Sequence, residues 1–269
     1  MEWNRIRVDD GVEIACAQRG AGQPVLLVPG WAMASDVFEH QIDGLAPAFQ
    51  VITIDPRSHG RSSDAATGNT YPQHGRDLDA VLRALDLHDV NLVGWSYGAL
   101  ACYAYAEQFG TARLRSLTAI DQTPKPLRTG VDGEWAEHDM EGFLAELVGP
   151  TVADPSGLAA EFVEWALDRA PTAHEREWLC GMHLRTPRYA AVCLLASAMF
   201  SDYRDLVTSL SSRIALANAV SQEELVEAEP WLCQHAPDAV LWTMPSHLGF
   251  WDSPAEFTQR LGKFLDTGR

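Results

Sequence analysis

A glycine-flanked serine at the junction of a strand pattern and a helix pattern constrains this chain more than any other feature. The apolar run at residues 91–93 leads into Gly94-Trp95-Ser96-Tyr97-Gly98, and the alanine-rich residues 99–106 then predict a helix. Glycine on each side lets a strand turn sharply into a helix where a Cβ would clash. The sequence therefore predicts that Ser96 is lifted above a sheet edge in a nucleophile elbow.

Short β-rich runs alternate with helical patterns along most of the chain. The expected strands are residues 6–8, 12–17, 25–28, 51–54, 91–93, 117–120, 213–217 and 240–243. The first two should form a hairpin around Asp9-Asp10-Gly11, whereas the later ones are almost continuously apolar, as strands covered by helices on both faces are. The pattern predicts a doubly wound α/β fold with an eight-stranded, mostly parallel sheet.

Helical patterns occupy the gaps between these strands, and one gap is unusually long. The patterns outside the long gap are residues 35–45, 74–85, 97–108, 222–233 and 255–265. Those inside it are residues 141–148, 158–168, 173–182 and 188–200, separated by prolines that mark turns. We expect residues 1–131 and 205–269 to form the core, and residues 132–204 to form a helical cap above the carboxyl ends of the strands.

The composition disfavours several classes of protein. A formal charge of −17 over 269 residues makes nucleic acid and anionic lipid unsuitable partners. No run approaches the roughly 20 apolar residues of a membrane span, and the start of the sequence lacks a signal-peptide pattern. The five cysteines are scattered without Cys-X-X-Cys spacing. We expect a cytoplasmic, unprocessed protein that uses no metal and no cofactor and that binds a small molecule.

A serine nucleophile needs a general base, which in a fold of this kind lies on a loop after the last strand. Of the nine histidines, only His247 follows the final expected strand. His247 is therefore the predicted base for Ser96. The other histidines fall on helices, on early loops or in the cap.

Acyl transfer also needs two N–H donors for the developing oxyanion. One is predicted at Tyr97, directly after the serine, and the other at Trp31, in the loop after the third strand. The rings of Trp31, Trp95 and the cap residue Trp165 are predicted to contact substrate. A single aromatic at helical spacing is more often a packing residue, but the aromatics of the cap together favour an apolar or aromatic substrate.

The acid that orients the histidine is not found at its usual position in the sequence. Many chains of this design place it after the strand before the last one, where residues 217–222 carry no carboxylate. Asp121 ends the strand that follows the Ser96 helix. Since that strand should be a sheet neighbour of the serine's own strand, Asp121 is the predicted acid for His247.

Three other carboxylates remain alternatives for that position. Glu223 and Glu224 lie close to the usual place, although both also suit the first turn of a helix. Asp202 lies where the cap returns to the core and suits a pairing with an arginine. The segment 55–62, which reads Asp-Pro-Arg-Ser-His-Gly-Arg-Ser, is interpreted as a structural brace of hydrogen bonds and not as a catalytic site.

Four stretches together resemble the α/β-hydrolase superfamily over almost the whole chain. They are residues 26–31 (Leu-Leu-Val-Pro-Gly-Trp), 55–62, 94–98 (Gly-Trp-Ser-Tyr-Gly) and 245–250 (Pro-Ser-His-Leu-Gly-Phe). The Pro-Gly-Trp and Gly-Trp-Ser sequences resemble the pimeloyl-carrier-protein methyl ester esterases, from which the displaced acid departs. The resemblance implies a serine hydrolase that cleaves an ester or lactone through a Ser-His-Asp triad and an acyl-enzyme.

An acid placed like Asp121 is similar to two other branches of the superfamily. One is the zearalenone-type lactone hydrolases, and the other is the cofactor-independent 3-hydroxy-4-oxoquinoline 2,4-dioxygenases. The dioxygenases use a His/Asp pair to deprotonate an aromatic substrate that itself reacts with oxygen. They typically have histidine before the serine, where this chain has Trp95. A ring-cleaving dioxygenase is the alternative function, and a non-catalytic receptor on the same fold is a third.

Overall fold

The computed structural model describes residues 2–131 and 133–268. Its strands are β1 (Trp3–Arg7), β2 (Glu13–Arg19), β3 (Gln23–Val28), β4 (Phe49–Asp55), β5 (Val90–Trp95), β6 (Leu114–Ile120), β7 (Ala215–Ser221) and β8 (Val240–Met244). They form one sheet in the order β1-β2-β4-β3-β5-β6-β7-β8. β1 and β2 form an antiparallel hairpin, β2 runs antiparallel to β4, and the other pairs are parallel. The predicted eight-stranded, mostly parallel sheet is confirmed.

The helices connect the strands and cover the sheet. They are α1 (Glu39–Leu45), α2 (Tyr71–Ala84), α3 (Gly98–Phe109), α4 (Met140–Gly142), α5 (Gly149–Ala153), α6 (Pro155–Ala166), α7 (Ala173–His183), α8 (Arg188–Met199), α9 (Arg204–Leu210), α10 (Gln222–His235), α11 (Gly249–Asp252) and α12 (Pro254–Thr267). A 3-10 turn at Ser35–Phe38 precedes α1, and a π-helical segment at Phe143–Val148 joins α4 to α5. The expected helix at residues 35–45 is therefore divided.

Burial on both faces of the sheet explains the continuous apolar runs of its central strands. Along β3, Leu26 and Val28 belong to the core that includes α2 and α3, whereas Val25 and Leu27 belong to the core that includes α1 and α12. Successive side chains of a strand point to opposite faces. An apolar residue is therefore required at every position of such a strand, and not only at every second one.

The seventh strand does not have the boundaries that the sequence predicts. It spans Ala215–Ser221 and not residues 213–217. The N–H groups of Arg213 and Ile214 both donate to the carbonyl oxygen of Leu210 at the end of α9, so these residues complete a helix end and do not join the sheet. The strand consequently extends to Ser221, and the next helix begins immediately after it.

The long gap between β6 and β7 is helical, as its length and proline spacing predict. It contains α4 to α9, with α6 and α7 packed against one another and α5 against α8. The assignment of residues 132–204 to a separate cap remains a prediction, and Asp132 lies outside the described residues. Among the helices of the described chain, none is both long and apolar enough to cross a membrane.

Candidate active site

The turn after β5 holds Ser96 in a conformation that few residues adopt. Ser96 has φ of 51°, and its N–H donates to the carbonyl oxygen of Ile120 at 2.7 Å. A Cβ on Gly94 would lie 2.6 Å from the backbone of Ala99, and a Cβ on Gly98 would lie 2.5 Å from the carbonyl oxygen of Val28. Both glycines are therefore required by close backbone approach, and the turn has the strain expected of a functional position.

The loop after β3 passes directly beside the serine. A Cβ on Gly30 would lie 2.9 Å from the Cβ of Ser96. Within residues 2–131 and 133–268, the backbone N–H groups of Trp31 and Tyr97 donate to no protein acceptor. Two unpaired backbone donors next to a raised hydroxyl are the arrangement that an oxyanion requires.

Buried hydrogen bonds from residues 55–59 hold this loop in place. The imidazole of His59 accepts the N–H of Ala32 at 3.1 Å, and the carboxylate of Asp55 accepts both the N–H and the hydroxyl of Ser35. Arg57, with a fully buried side chain, makes two 2.6 Å hydrogen bonds to Asp77. These contacts agree with the interpretation of residues 55–62 as structural.

His247 and Asp121 meet at the carboxyl edge of the sheet. The Nδ1 atom of His247 lies 2.8 Å from Oδ2 of Asp121, and the two side chains are only 10% and 3% exposed. The other oxygen of Asp121 accepts the N–H of Ser221, the last residue of β7, at 2.5 Å. Since Trp95 pairs with Ile120 across β5 and β6, Ser96 and Asp121 leave neighbouring strands at the same level.

The alternative carboxylates have other partners. Glu224 accepts the indole N–H of Trp135 at 2.6 Å, and Asp202 pairs with the guanidinium of Arg204 at 2.7 Å. Across the described residues, neither these two nor Glu223 forms a hydrogen bond or ion pair with His247. The structure thus brings Asp121 to the histidine, one strand earlier than is usual for chains of this design.

The hydroxyl of Ser96 makes no hydrogen bond in the described part of the chain. Among the described residues, Ser96 forms hydrogen bonds only through its backbone N–H and carbonyl groups. Catalytic hydrogen bonds are often long or poorly aligned in ligand-free enzymes and shorten when substrate binds. Ser96 and His247 both line the same cavity.

That cavity has a volume of about 390 Å³ and lies between the sheet edge and the helices of the long β6–β7 connection. Trp31, Trp95 and Trp165 all line it, together with Ser96, Tyr97, Asp121 and His247. Additional apolar lining comes from Leu147, Leu158 and Phe162. A wider surface depression of about 770 Å³ lies between α1 and α12, but its lining includes none of these residues.

The three predicted aromatic contacts differ in their surroundings. The ring of Trp165 is 57% exposed and lies 4.8 Å from the ring of His247. The indole of Trp31 donates to the carbonyl oxygen of Ala191, which connects the loop after β3 to α8. Trp95 is fully buried. Trp165 is therefore the most accessible of the three to a ligand in the cavity.

Acidic side chains also line the cavity, and among them Glu137 is one that the sequence did not indicate. Glu137 accepts the hydroxyl of Tyr97 at 2.9 Å and also accepts the side-chain amide of Gln122. Burial, with the nearby Glu224, raises the pKa of Glu137 to about 8, and burial raises the pKa of Glu224 to about 7. Among the described residues, no group of three His, Cys, Asp or Glu side chains suits a metal ion.

Residues 23–167, more than half of the chain, match the alpha/beta hydrolase fold family. The chain belongs to that family. This alpha/beta hydrolase is 35% identical over 116 residues to the non-heme chloroperoxidase CPO-A1 of Kitasatospora aureofaciens, a match that covers 43% of this chain and 42% of the relative. It is also 25% identical over 256 residues to a pimeloyl-[acyl-carrier protein] methyl ester esterase of Chromobacterium violaceum, covering 92% and 96%.

Solved structures show the same fold at low sequence identity. An esterase (EaEST) from Exiguobacterium antarcticum superposes with a TM-score of 0.89 at 21% identity, covering 99% of this chain and 100% of the other. A bromoperoxidase from Bacillus anthracis superposes with a TM-score of 0.90 at 20% identity, covering 98% and 100%. The first three curated relatives are matched over only 42%, 56% and 44% of their own length.

Proposed function

We propose that this alpha/beta hydrolase is a cofactor-free serine hydrolase that cleaves a carboxylic ester or lactone of an apolar or aromatic small molecule. The observation that carries the proposal is the 2.8 Å contact between His247 and Asp121 in the cavity that also holds the strained Ser96. A base held by a buried acid beside a raised hydroxyl suits nucleophilic catalysis.

In the proposed reaction, His247 takes the hydroxyl proton of Ser96 as the oxygen attacks the substrate carbonyl. The N–H groups of Trp31 and Tyr97 bind the oxyanion that forms. The protonated imidazole then gives its proton to the leaving alcohol, and an acyl-enzyme remains. Asp121 fixes the histidine tautomer and stabilises the imidazolium throughout. A water molecule activated by His247 finally releases the acid.

The lining of the cavity supports the proposed substrate class. The volume of about 390 Å³ suits a small molecule, and Trp31, Phe162 and Trp165 supply aromatic surface beside the reacting groups. Aromatic rings favour contact with flat or apolar groups. An aryl or cyclic ester would place its carbonyl near Ser96 and its apolar body against these rings.

Labelling with a fluorophosphonate probe tests the proposal directly. We expect the protein to be labelled, S96A to remain unlabelled, and turnover of a panel of aryl esters and lactones to fail in S96A and H247A. The matched control is S209A, since Ser209 is an exposed serine of α9 and should label normally. Near wild-type turnover of the hydrolysed substrate by S96A would refute the proposed nucleophile.

One observation favours a second candidate, the cofactor-independent ring-cleaving dioxygenase of a 3-hydroxy-4-oxoquinoline-like substrate. The His247–Asp121 pair is assembled, whereas the described residues offer no hydrogen-bond partner to the Ser96 hydroxyl. That reaction needs the pair more than the serine. Trp95 in place of the usual histidine argues against it. Release of carbon monoxide from such a substrate under oxygen, retained in S96A and lost in H247A, would support the dioxygenase over the hydrolase.

A further inference from the structure

Glu137 contacts the two turns that carry the proposed nucleophile and acid. Its Oε2 accepts the hydroxyl of Tyr97 at 2.9 Å, and its Oε1 accepts the side-chain amide of Gln122. Tyr97 directly follows Ser96, and Gln122 directly follows Asp121. A single carboxyl group, supplied by a loop outside both turns, therefore holds the residue next to each of them.

Both turns need such support because both are strained. Ser96 has φ of 51° and Asp121 has φ of 49°. Residues other than glycine adopt this left-handed region at a cost, and they remain there when surrounding contacts fix them. The N–H of Ser96 donates to Ile120 and that of Asp121 donates to Ala219, so the backbone is held on the sheet side. Glu137 supplies contacts on the cavity side.

Glu137 is itself firmly placed. Its N–H donates to the carbonyl oxygen of Pro126 at 3.0 Å, and the hydroxyl of Thr123 donates to the carbonyl oxygen of Trp135 at 2.6 Å. The indole of Trp135 in turn donates to Glu224 of α10. The segment that carries Glu137 is thus fixed to the chain that follows β6 and to α10, and its carboxyl group holds Tyr97 and Gln122 relative to both.

We propose that Glu137 is a positioning residue for the reaction, which rests on the serine hydrolase function proposed above. Through Tyr97 it fixes an oxyanion donor N–H, and through Gln122 it fixes the backbone that presents the Asp121 carboxylate. The same residue therefore aligns two parts of the active site that lie on different strands. Glu137 does not touch the reacting atoms, so its effect reaches the substrate through its neighbours.

The charge of Glu137 adds a pH dependence to this role. The ionisable groups that face it are Tyr97 on the serine turn, Tyr71 on α2, Asp121 after β6 and Glu224 on α10. Burial and the two neighbouring carboxyl groups raise its pKa to about 8, against the two hydrogen bonds that it accepts. Below that pH the side chain is neutral. Above it, a negative charge beside Tyr97 would disfavour the oxyanion.

The test compares E137Q and E137A with wild type and with E141Q, a nearby exposed carboxylate of α4 that does not line the cavity. The rate of fluorophosphonate labelling and kcat on the best aryl ester of the panel would be measured from pH 6 to 9.5. E137A should lose up to about 100-fold in kcat, with a smaller change in KM, because misplacement of catalytic groups acts mainly on the chemical step.

E137Q retains hydrogen-bonding capacity towards Tyr97 and Gln122, so most of the neutral-pH activity should return. The fall in kcat near pH 8 should be present in wild type and E141Q and absent in E137Q. The hydroxyl of Tyr97 should be coupled to Glu137, so that E137A/Y97F is no slower than E137A alone. If E137A does not fold, the profile of E137Q decides the question.

Two outcomes would overturn the inference. One is an E137Q profile with the same alkaline fall as wild type, and the other is an E137A protein that labels and turns over at the wild-type rate. In both cases wild type would still label and S96A would not, so the proposed function would stand. Failure of the proposed function is recognised differently, by absent labelling in wild type or by undiminished turnover in S96A.

Discussion

The indole N–H of Trp95 donates to the carbonyl oxygen of His247 at 3.0 Å. Trp95 directly precedes Ser96, and its buried ring lies 5.3 Å from the imidazole. The next residue of the same loop, Leu248, donates its N–H to Ala166 of α6 at 2.7 Å. The position of the proposed base is therefore set both by the residue before the proposed nucleophile and by α6.

Replacement of Trp95 by phenylalanine should weaken this loop. W95F keeps an aromatic ring but leaves the partly buried carbonyl oxygen of His247 without its donor, and loss of one such hydrogen bond costs about 0.5–1.5 kcal/mol. We expect a lower free energy of unfolding in urea and a reduced kcat. W3F is the matched control, because Trp3 packs against Arg61 on the outer hairpin. Equal stability of W95F and wild type would contradict the assigned role.

Replacement of Asp121 by asparagine should remove most of the activity and preserve the fold. Asparagine tolerates the φ of 49° at this position, whereas alanine would add strain. An amide cannot stabilise the imidazolium of His247 and favours the wrong tautomer, a change that costs about 10⁴-fold in kcat in triads of this kind. Steady-state kinetics with circular dichroism provide the measurement, and D202N is the control. Activity retained in D121N and lost in E224Q would move the acid to Glu224.

The local parts of this site follow from the sequence, because each is decided by a few adjacent residues. Gly94 and Gly98 predict the turn at Ser96, and the order of the strands places Asp121 beside it. The boundary of β7 did not follow, since the N–H groups of residues 213 and 214 are used by the end of α9. Strand propensity alone does not distinguish that use from pairing in a sheet.

Glu137 and Trp95 illustrate what sequence patterns omit. The contact between Tyr97 and Glu137 joins residues 40 positions apart, and that between Trp95 and His247 joins residues 152 positions apart. The described residues 122–131 and 133–139 contain no strand or helix, so no periodicity indicates which side chains face inward. The sequence predicts a substrate contact for Trp95 but not its hydrogen bond to His247. That bond forms only because the fold brings the end of β5 beside the chain that follows β8.

Alanine at Gly98 should be far more damaging than alanine at another helical glycine. Its Cβ would lie 2.5 Å from the carbonyl oxygens of Val28 and Pro29, so α3 would have to move away from the end of β3 and the loop after it. Overpacking of this kind costs about 1–3 kcal/mol. Gly181 of α7 has no atom within 4 Å of the added Cβ, so G181A should be stabilising by up to about 1 kcal/mol. Thermal unfolding of both variants measures the difference, and equal shifts would contradict it.

Removal of the Trp165 ring should act on substrate binding more than on stability. The ring is more than half exposed and lies 4.8 Å from the ring of His247. An aromatic contact is worth about 0.5–1.5 kcal/mol, which corresponds to a roughly two- to tenfold rise in KM for an aryl ester in W165A. The KM for a short aliphatic ester should change less. W178F, in α7, serves as a control outside the cavity lining, and a uniform loss on both esters would argue against a substrate contact.

The buried carboxyl groups should make the protein less stable as the pH rises. The pKa values of Glu137 and Glu224 are raised to about 8 and 7 from an ordinary value of 4.5, so between these limits the folded state binds more protons than the unfolded state. Stability falls with pH wherever that holds, and the two glutamates should therefore contribute a loss that begins near pH 4.5 and levels off above about pH 8.

The difference in the free energy of unfolding in urea between pH 5 and pH 8.5 should be smaller in E137Q than in wild type. It should be smaller still in E137Q/E224Q. E141Q makes the same substitution at an exposed site and should keep the wild-type difference. An unchanged difference in both E137Q and the double variant would mean that these carboxyl groups ionise normally in the folded protein.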